Sequence, residues 1–439
     1  MNAREAVYRS LIRIEKEGRY SALELDSVID SESIGDKDRA LYTSLLYGVT
    51  ERKITLDYII SQHCDRPVKR LDLSTLIILR IGVYQICYLD RVPDSAAVNE
   101  CVKLASRYSS RSKGFINAVL RKVSLGKESV LLPSEETDRI KYLSVKYSLP
   151  VWICELFTKD YPEEGEDIFS FVNSDPYITL RVNTLKTTRE KVLQKLGDRA
   201  VGCRYSPFGA RLTERIPISE LSLDKGEYFV QDEASQIECM ILDPREGETL
   251  IDVCACPGGK SFSAAIAMNN KGVVHSFDLH GSKLSLINSG AERLGISIIR
   301  PAEHDSTAVL DELEKKADRV ICDVPCSGLG VLHKKSDLRY KDPKTLEELP
   351  ALQYAILEAS AKYLKDGGTL IYSTCTVSKA ENERVVEKFI KNNPGYQLSP
   401  FKLGGEEYPG YITLLPHIHG TDGFFIAKIL KNTTDCSDL

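Results

Sequence analysis

Two cysteines of this sequence stand just after segments that read as buried strands, where a thiol can act as a nucleophile. Residues 319–322 lead into Asp323 and Cys326, and residues 369–372 lead into Cys375. Open α/β sheets bind their ligands beyond the carboxyl ends of the strands. A thiolate held there can form a covalent intermediate, and a neighbouring carboxyl can donate or accept a proton. For one isolated cysteine, the alternative is an inert core residue.

A glycine turn follows another strand-like segment and is typical of a ligand loop. Residues 249–254 are short, apolar and β-branched, Pro-Gly-Gly at 257–259 breaks the strand, and residues 261–268 read as a helix. Strand, glycine turn and helix N-terminus together hold nucleotide-like ligands. Asp278 ends the next apolar segment, about 20 residues after the turn, where an acid can accept hydrogen bonds from ribose hydroxyls. The turn is neither GxGxxG nor a P-loop.

Alternating elements predict how these residues are positioned. From about residue 231 the predicted strands are 249–254, 273–277, 297–300, 319–322 and 369–372. The predicted helices are 261–268, 283–294, 349–364 and 381–392. Such alternation predicts a parallel sheet covered by helices on both faces. Residues 411–415 and 423–429 predict a closing hairpin.

Length, charge and cysteine usage limit the class of protein. The 439 residues, 42% hydrophobic and 28% charged, predict two or three globular domains. With a net charge of only −5, a nucleic-acid surface has to be a local patch. The scattered cysteines and the polar residues 1–10 favour a reduced, cytoplasmic protein. We expect no metal, since the spacings fit no zinc site, and no membrane span, since Arg80 and Gln85 interrupt the apolar region 71–89.

The first part of the chain predicts an all-helical domain followed by a smaller region. Predicted helices lie at 39–49, 55–61, 71–89, 95–106 and 113–123. Residues 101–127 contain basic but no acidic side chains, namely Lys103, Arg107, Arg111, Lys113, Arg121, Lys122 and Lys127. This run is either a solvated helix face or an RNA-backbone surface. After a linker at 126–136, Arg181 lies in a predicted strand, where it contacts RNA or pairs with a surface carboxylate.

Together these motifs resemble the Sun/RsmB-type RNA cytosine-5 methyltransferases over nearly the whole chain. The resemblance is carried by the glycine loop, Asp278, the Asp-Val-Pro-Cys and Thr-Cys turns, and Asp422-Gly-Phe-Phe425. Near the start, Arg80-Ile-Gly-Val-Tyr84 resembles NusB-like RNA-binding domains. The implied fold is multidomain, with an all-α NusB-like N-terminal domain, a small α+β middle subdomain and a C-terminal α/β Rossmann-like class I methyltransferase domain. The expected spans are 1–126, 137–230 and 231–431.

The resemblance implies methylation of carbon 5 of a cytosine in 16S ribosomal RNA. Carbon 5 is a poor nucleophile until a thiolate adds to carbon 6 and makes it enamine-like. By resemblance, Cys375 is that thiolate, Cys326 helps in product release, and Asp323 is the partner of ring N3. Chemistry alone does not decide which of the two thiols is the nucleophile. Ser378-Lys-Ala-Glu381 fits a capping box, and a helix beginning there would favour the thiolate of Cys375.

The resemblance also assigns the contacts of the cofactor, S-adenosylmethionine. The expected loop residues are Cys254, Ala255, Cys256, Pro257, Gly258, Gly259 and Lys260. Asp278 is expected at the ribose hydroxyls, Asp305 near the adenine amine, and Asp323 at the methionine end. Lys260 is expected near the reacting centre, the alternative being a surface lysine at a helix start. Asp305 is equally well explained as the N-cap of a helix from Thr307.

Two other functions compete with this prediction. A NusB-like adaptor with a degenerate cofactor-sensing domain is disfavoured because every predicted catalytic position is occupied. An amino-methyltransferase would carry a motif such as Asp-Pro-Pro-Tyr and would need no thiol. We expect 16S ribosomal RNA as the partner, as free RNA or an early assembly intermediate, no DNA or membrane partner, and a monomer. Residues 332–339 lack the proline expected there but keep positive charge at Lys334, Lys335 and Arg339.

Overall fold

The computed structural model describes residues 2–30, 34–214 and 216–433. The chain forms two compact units. The first comprises Met1–Asn173 together with Lys334–Lys341, and the second comprises Ser174–His333 and Asp342–Leu439. A short segment that follows Cys326 in the sequence therefore belongs to the first unit.

The first unit is helical throughout its described part, as the apolar periodicity predicts. Its α-helices are α1 Ala3–Glu17, α2 Ser21–Asp30, α3 Asp36–Glu51, α4 Lys53–Gln62, α5 Leu73–Tyr88, α6 Asp94–Tyr108, α7 Lys113–Gly126, α8 Arg139–Tyr147, α9 Val151–Asp160 and α10 Asp167–Ser170. The predicted helices correspond to α3–α7. Helix α2 was not predicted from the sequence.

Helix α5 is apolar on nearly all sides and is buried, as predicted for the region 71–89. Its arginine, Arg80, donates two bonds of 2.7 Å to Asp57 and lies 3.1 Å from Glu15. These carboxylates allow a charged side chain to be buried. Among the described residues, no helix is long and apolar enough to cross a membrane.

The segment Lys334–Lys341 is held in the first unit by polar contacts. Asp337 accepts bonds from the amide and hydroxyl of Ser21, at 3.0 and 2.6 Å. Arg339 is fully buried and donates to the carbonyl oxygens of Glu51 at 2.8 Å and Val172 at 2.6 Å. Arg339 thus keeps the predicted positive charge in this segment, but its guanidinium is buried and binds backbone carbonyls.

The second unit begins with a small antiparallel sheet. It contains β1 Thr179–Val182, β2 Ala200–Gly202, β3 Gly209–Leu212 and β4 Tyr228–Val230, in the order β2-β3-β1-β4. Helix α11 spans Arg189–Leu196. Arg181 lies in β1 and is only 2% exposed, with its guanidinium 4.2 Å from the ring centre of Phe208. The hypothesis of a surface ion pair at Arg181 is therefore wrong.

The larger sheet of the second unit has the predicted parallel core. Its strands are β5 Thr249–Asp252, β6 Val273–Asp278, β7 Ile299–Glu303, β8 Ala317–Asp323, β9 Leu364–Thr374, β10 Tyr396–Leu398, β13 Tyr411–Leu414 and β14 Phe424–Lys431; β11 Phe401–Leu403 and β12 Glu406–Tyr408 pair separately. The order is β10-β14-β9-β8-β5-β6-β7, with β5 to β9 parallel. The predicted hairpin is the antiparallel pair of β13 and β14.

Helices cover both faces of this sheet. They are α12 Glu233–Leu242, α13 Gly259–Ala267, α14 Leu284–Leu294, α15 Leu349–Ala361, α16 Glu383–Asn392 and the short α17 Pro416–His419. Successive strand residues alternate between two cores, as the strand period of two requires. Leu250, Ile321 and Ile371 pack with α12–α14, and Ile251, Val320 and Tyr372 pack with α15 and α16. The carboxyl ends of β5, β6, β8 and β9 therefore share one edge.

Candidate active site

The predicted glycine loop connects β5 to α13 at this edge. The Cys256–Pro257 peptide bond is cis, and Gly258 has a φ of +111°. The amide of Ala255 donates to the carbonyl of Phe277 in β6 at 2.7 Å, which ties the loop to the neighbouring strand. Helix α13 begins at Gly259, so its first N–H groups lie at the loop, where a ligand with negative or polar oxygen atoms can accept from them.

Two of the predicted acids lie at the ends of the neighbouring strands, Asp278 at the end of β6 and Asp305 just after β7. Asp278 is half-buried. Burial and the nearby Asp278 carboxylate raise the pKa of the Cys256 thiol to about 11, so the two side chains lie close together. Asp305 follows β7 and accepts bonds from the amide and hydroxyl of Thr307, at 3.0 and 2.7 Å. No helix starts at Thr307, so the N-cap alternative for Asp305 is wrong; the carboxylate closes a turn and is exposed.

Asp252, at the end of β5, is a site residue that the sequence analysis did not single out. It is fully buried, its Oδ2 accepts a 2.6 Å bond from Ser261 in α13, and its Oδ1 has no hydrogen-bond partner among the described residues. Burial raises the pKa of Asp252 to about 7. An acid inside an otherwise apolar strand was the signal that could have found it. An unsatisfied buried acceptor beside a glycine loop is consistent with a site for a polar cofactor.

Lys260 is inside the site and not on the surface. Its side chain is 15% exposed, its Nζ donates to Asp323 Oδ2 at 2.6 Å, and the ammonium lies 5.3 Å from the ring centre of Phe424. Asp323 Oδ1 accepts a second bond from Ser373 at 3.1 Å. The nearby carboxylates raise the pKa of Lys260 despite its burial, so the ammonium stays charged. The alternative of a surface lysine is wrong.

The two cysteines predicted from the strand ends are in contact. Cys326 Sγ lies 3.2 Å from Cys375 Sγ. Strand β8 pairs with β9 in parallel, with Asp323 opposite Ser373, so the two turns leave the sheet side by side. The hydrogen bond to Cys375, with burial, raises the pKa of the Cys326 thiol well above its usual range. Either sulfur can be the donor in this contact.

The predicted capping box at residues 378–381 is wrong. Helix α16 begins only at Glu383, because the side chain of Glu381 is used elsewhere. Its carboxylate is buried and accepts from the Ser327 amide at 2.9 Å, the Ser327 hydroxyl at 2.5 Å and Gln353 Nε2 at 3.0 Å. A helix N-terminus directly after Cys375 thus does not explain a reactive thiol.

Asn382, next to Glu381, holds the other cysteine turn. Its side chain accepts from the Thr374 hydroxyl at 2.6 Å and donates to the Thr376 carbonyl at 2.9 Å. Thr374 and Thr376 flank Cys375. Glu381 therefore holds the turn that follows Cys326, and the adjacent residue Asn382 holds the turn that contains Cys375. Together they set the distance between the two thiols.

The glycines Gly330 and Gly423 bring a third segment to this edge. The Gly330 amide donates to the Cys375 carbonyl at 3.1 Å, and the Gly423 amide donates to the Gly330 carbonyl at 2.9 Å. A Cβ at Gly330 would lie 1.9 Å from the Gly423 oxygen. The Asp-Gly-Phe-Phe motif thus has a packing role, because only glycine permits this backbone approach.

The fold and the site define a class I, S-adenosylmethionine-dependent methyltransferase, and comparisons with known proteins identify the family. Residues 239–430 match the 16S rRNA methyltransferase RsmB/F family, residues 1–125 the NusB family, and residues 149–219 the RsmF/B-like ferredoxin-like domain. The chain belongs to the RsmB/F methyltransferase family, and its cofactor is S-adenosylmethionine. The predicted fold class is confirmed in all three parts.

Relatives cover nearly the full chain. A probable ribosomal RNA small subunit methyltransferase B of Bacillus subtilis is 36% identical and covers 98% of this chain and 99% of its own. Ribosomal RNA small subunit methyltransferase B of Escherichia coli strain SMS-3-5 is 31% identical, with 91% and 92% covered. The solved structure of a methyltransferase homolog protein from Pyrococcus horikoshii matches with a TM-score of 0.59 and 27% identity, over 67% of this chain and 99% of that chain.

The glycine loop leads to a first prediction. We expect Gly258→Val to weaken S-adenosylmethionine binding about 10- to 100-fold, since strain of about 1–3 kcal/mol at positive φ corresponds to that loss. A Cβ there would also lie 2.4 Å from the Phe262 ring. Calorimetry measures the affinity. Gly395→Ala is the matched control, because nothing lies within 4 Å of its added Cβ. Unchanged affinity in folded Gly258→Val would remove the loop from the cofactor site.

Proposed function

We propose that this protein methylates carbon 5 of a cytosine in 16S ribosomal RNA through a covalent bond between Cys375 and carbon 6. The observation that carries the proposal is the 3.2 Å contact between Cys375 and Cys326 at the same sheet edge as the Lys260–Asp323 pair. The names of the relatives support a ribosomal RNA substrate. An amino-methyltransferase needs no such pair of thiols.

The first step is attack by the Cys375 thiolate. Its Sγ forms a bond to carbon 6, and the electron pair of the 5,6 double bond moves toward carbon 5 and the ring. Cys326, whose pKa is raised by its hydrogen bond to Cys375, is the protonated partner that stabilises this thiolate. The distance between the sulfurs allows either of them to be the donor, so the choice of Cys375 as nucleophile rests on the family resemblance.

We assign Asp323 as the partner of ring N3. Negative charge develops on the ring as Cys375 adds, and when N3 takes up a proton the Asp323 carboxylate can accept a hydrogen bond from N3–H. Lys260 and Ser373 hold both oxygens of Asp323, so its orientation is preset. Bound S-adenosylmethionine supplies an electrophilic methyl group to carbon 5.

Release of the product reverses the covalent step. A base removes the proton from carbon 5, the 5,6 double bond re-forms, and the bond between Cys375 and carbon 6 breaks. We assign Cys326 to this stage, since its Sγ is adjacent to the departing sulfur. The target base has to leave its stack to reach these groups, which favours an unpaired cytosine.

The cofactor contacts and the domain spans complete the proposal. Residues 254–260 and Asp278 hold the cofactor, with Asp278 at the ribose, Asp305 near the adenine and Asp323 at the methionine end. Spans 1–126, 137–230 and 231–431 are the NusB-like, middle and catalytic domains. We place the protein in the cytoplasm with its RNA, as a monomer that acts on free RNA or an early assembly intermediate.

Bisulfite sequencing of 16S ribosomal RNA tests the reaction. We expect one or more cytosines to resist conversion in cells with the gene and to be converted in cells without it. Restoring the wild-type gene should restore the resistance, and restoring a Cys375→Ala gene should not. Identical conversion patterns with and without the gene would contradict the proposal.

The basic run in the first unit divides into paired and unpaired residues. Three members form ion pairs, namely Lys103 with Glu100, Arg107 with Glu5 and Lys127 with Asp94. Four are exposed and have no ion pair within the described residues, namely Arg111, Lys113, Arg121 and Lys122. The second group is free to contact phosphates, and we propose it as the RNA-backbone surface.

A second prediction separates these two groups. Changing the four unpaired residues to glutamate should weaken RNA binding and flatten its salt dependence, by roughly 0.7 to 0.9 in log–log slope for each phosphate that the protein no longer neutralises. Filter binding across a salt series measures the slope. Changing Lys103, Arg107 and Lys127 to glutamine is the control and should alter the slope less. Equal slopes for wild type and the four-residue variant would make the run a solvated helix face.

A further inference from the structure

Glu238 is a buried acid beside the reacting groups, and the mechanism above does not use it. It lies in α12, its side chain is fully buried, and neither carboxyl oxygen has a hydrogen bond of ordinary length to any residue that the structure describes. Its Oε2 is 3.5 Å from Lys260 Nζ. The same ammonium is 2.6 Å from Asp323, so two carboxyl groups share one cation.

Glu238, Asp252 and Asp323 cannot all be ionised at once beside the single ammonium of Lys260. The ionisable groups that face it are Lys260 from α13, Asp252 from β5, and Asp323 and Cys322 from β8. Strand β9 contributes Ser373, and Arg181 of β1 acts on the adjacent Cys239. Three ionised carboxylates against one ammonium would leave uncompensated negative charge in a buried site, which is strongly unfavourable.

Glu238 is the group that most readily keeps a proton. Asp323 has bonds from Lys260 and Ser373, and Asp252 has one from Ser261. Glu238 has no hydrogen bond of ordinary length within the described residues, with Lys260 at 3.5 Å and Ser373 facing it. Burial raises the pKa of Glu238 to about 8, with the neighbouring carboxylates adding to the effect of burial. At neutral pH the cluster therefore contains a neutral Glu238 and a charged Lys260 that donates to Asp323.

We propose that Glu238 is a positioning residue for Asp323: while it is protonated, Lys260 stays paired with Asp323, and when it loses its proton it competes for Lys260. This inference rests on the proposed function, in which Asp323 faces N3. Loss of the proton to solvent base leaves a second carboxylate on the same ammonium. Lys260 then divides between two anions, and the orientation of Asp323 is lost.

The pH dependence of methyl transfer tests this role. The neutral form is the active one, so the wild-type single-turnover rate on a 16S ribosomal RNA transcript should decline above pH 8, being about tenfold lower one unit above the pKa. Glu238→Gln is neutral at every pH and should lose this alkaline decline, whereas Glu238→Asp should retain it. The same decline in wild type and Glu238→Gln would overturn the proposal.

An infrared measurement without RNA separates failure of this inference from failure of the proposed function. A protonated carboxyl band at neutral pH should be present in wild type, should be reduced in Glu238→Gln, and should disappear as pH rises through 8. No difference between the two proteins would overturn the protonation of Glu238. A wild type that shows the band but transfers no methyl group to carbon 5 would instead overturn the proposed function and, with it, the positioning role.

Discussion

Replacing Cys375 by alanine should abolish both methyl transfer and the covalent protein–RNA complex. Without the attacking sulfur, carbon 5 never becomes nucleophilic, so the rate should fall by a factor on the order of 10⁴ or more, as when other catalytic nucleophiles are removed. Transfer of labelled methyl groups to a 16S ribosomal RNA transcript measures the rate. Cofactor affinity should persist, because Cys375 lies outside the loop at residues 254–260.

Replacing Cys326 should have the opposite effect on the complex. Cys375 can still attack carbon 6 and methyl transfer can still occur, but the bond to RNA should break slowly. The variant should accumulate a protein–RNA adduct that survives denaturing electrophoresis. If the adduct accumulates in Cys375→Ala and is absent in Cys326→Ala, the roles of the two thiols are reversed.

The second large effect is expected at Glu381, which contacts neither thiol. Its two oxygens accept from the Ser327 amide, the Ser327 hydroxyl and Gln353. In Glu381→Ala no acceptor remains for the Ser327 amide, the Ser327 hydroxyl or Gln353, so all of these bonds are lost. The turn after Cys326 then shifts, and a displacement of about 1 Å lowers rates roughly 100-fold in other enzymes.

Single-turnover transfer with Glu381→Ala should therefore be about 100-fold slower, while S-adenosylmethionine affinity stays near the wild-type value. Glu387→Ala is the matched control, because Glu387 is exposed on the same helix, α16. Its rate should be that of the wild type. A wild-type rate in folded Glu381→Ala would show that this carboxylate does not set the thiol geometry.

Local sequence patterns were sufficient for the features that depend on local chemistry. The strand before the glycine turn, the helix after it and the strand-end positions of Cys326 and Cys375 follow from apolar periodicity and from Gly and Pro. The parallel sheet follows from alternation of elements. These features together placed most of the predicted site at one sheet edge.

The features that were missed depend on partners far away in the chain. Glu381 has the spacing of a capping box, but its carboxylate accepts hydrogen bonds from Ser327, and α16 begins only at Glu383. Glu238 looks like an ordinary polar helix residue until Lys260 is placed beside it. Arg339 looks like one of several exposed cations, yet it is buried on backbone carbonyls of the first unit. No local pattern predicts such contacts.

Trapping on RNA that contains 5-fluorocytosine tests the central claim most directly. Fluorine at carbon 5 cannot be removed as a proton, so the bond between the enzyme and carbon 6 should persist after methyl transfer. Wild-type protein, S-adenosylmethionine and substituted 16S ribosomal RNA should give a complex stable to denaturation. Peptide mapping should place the modified nucleotide on Cys375. Absence of a complex, or attachment at Cys326, would contradict the account.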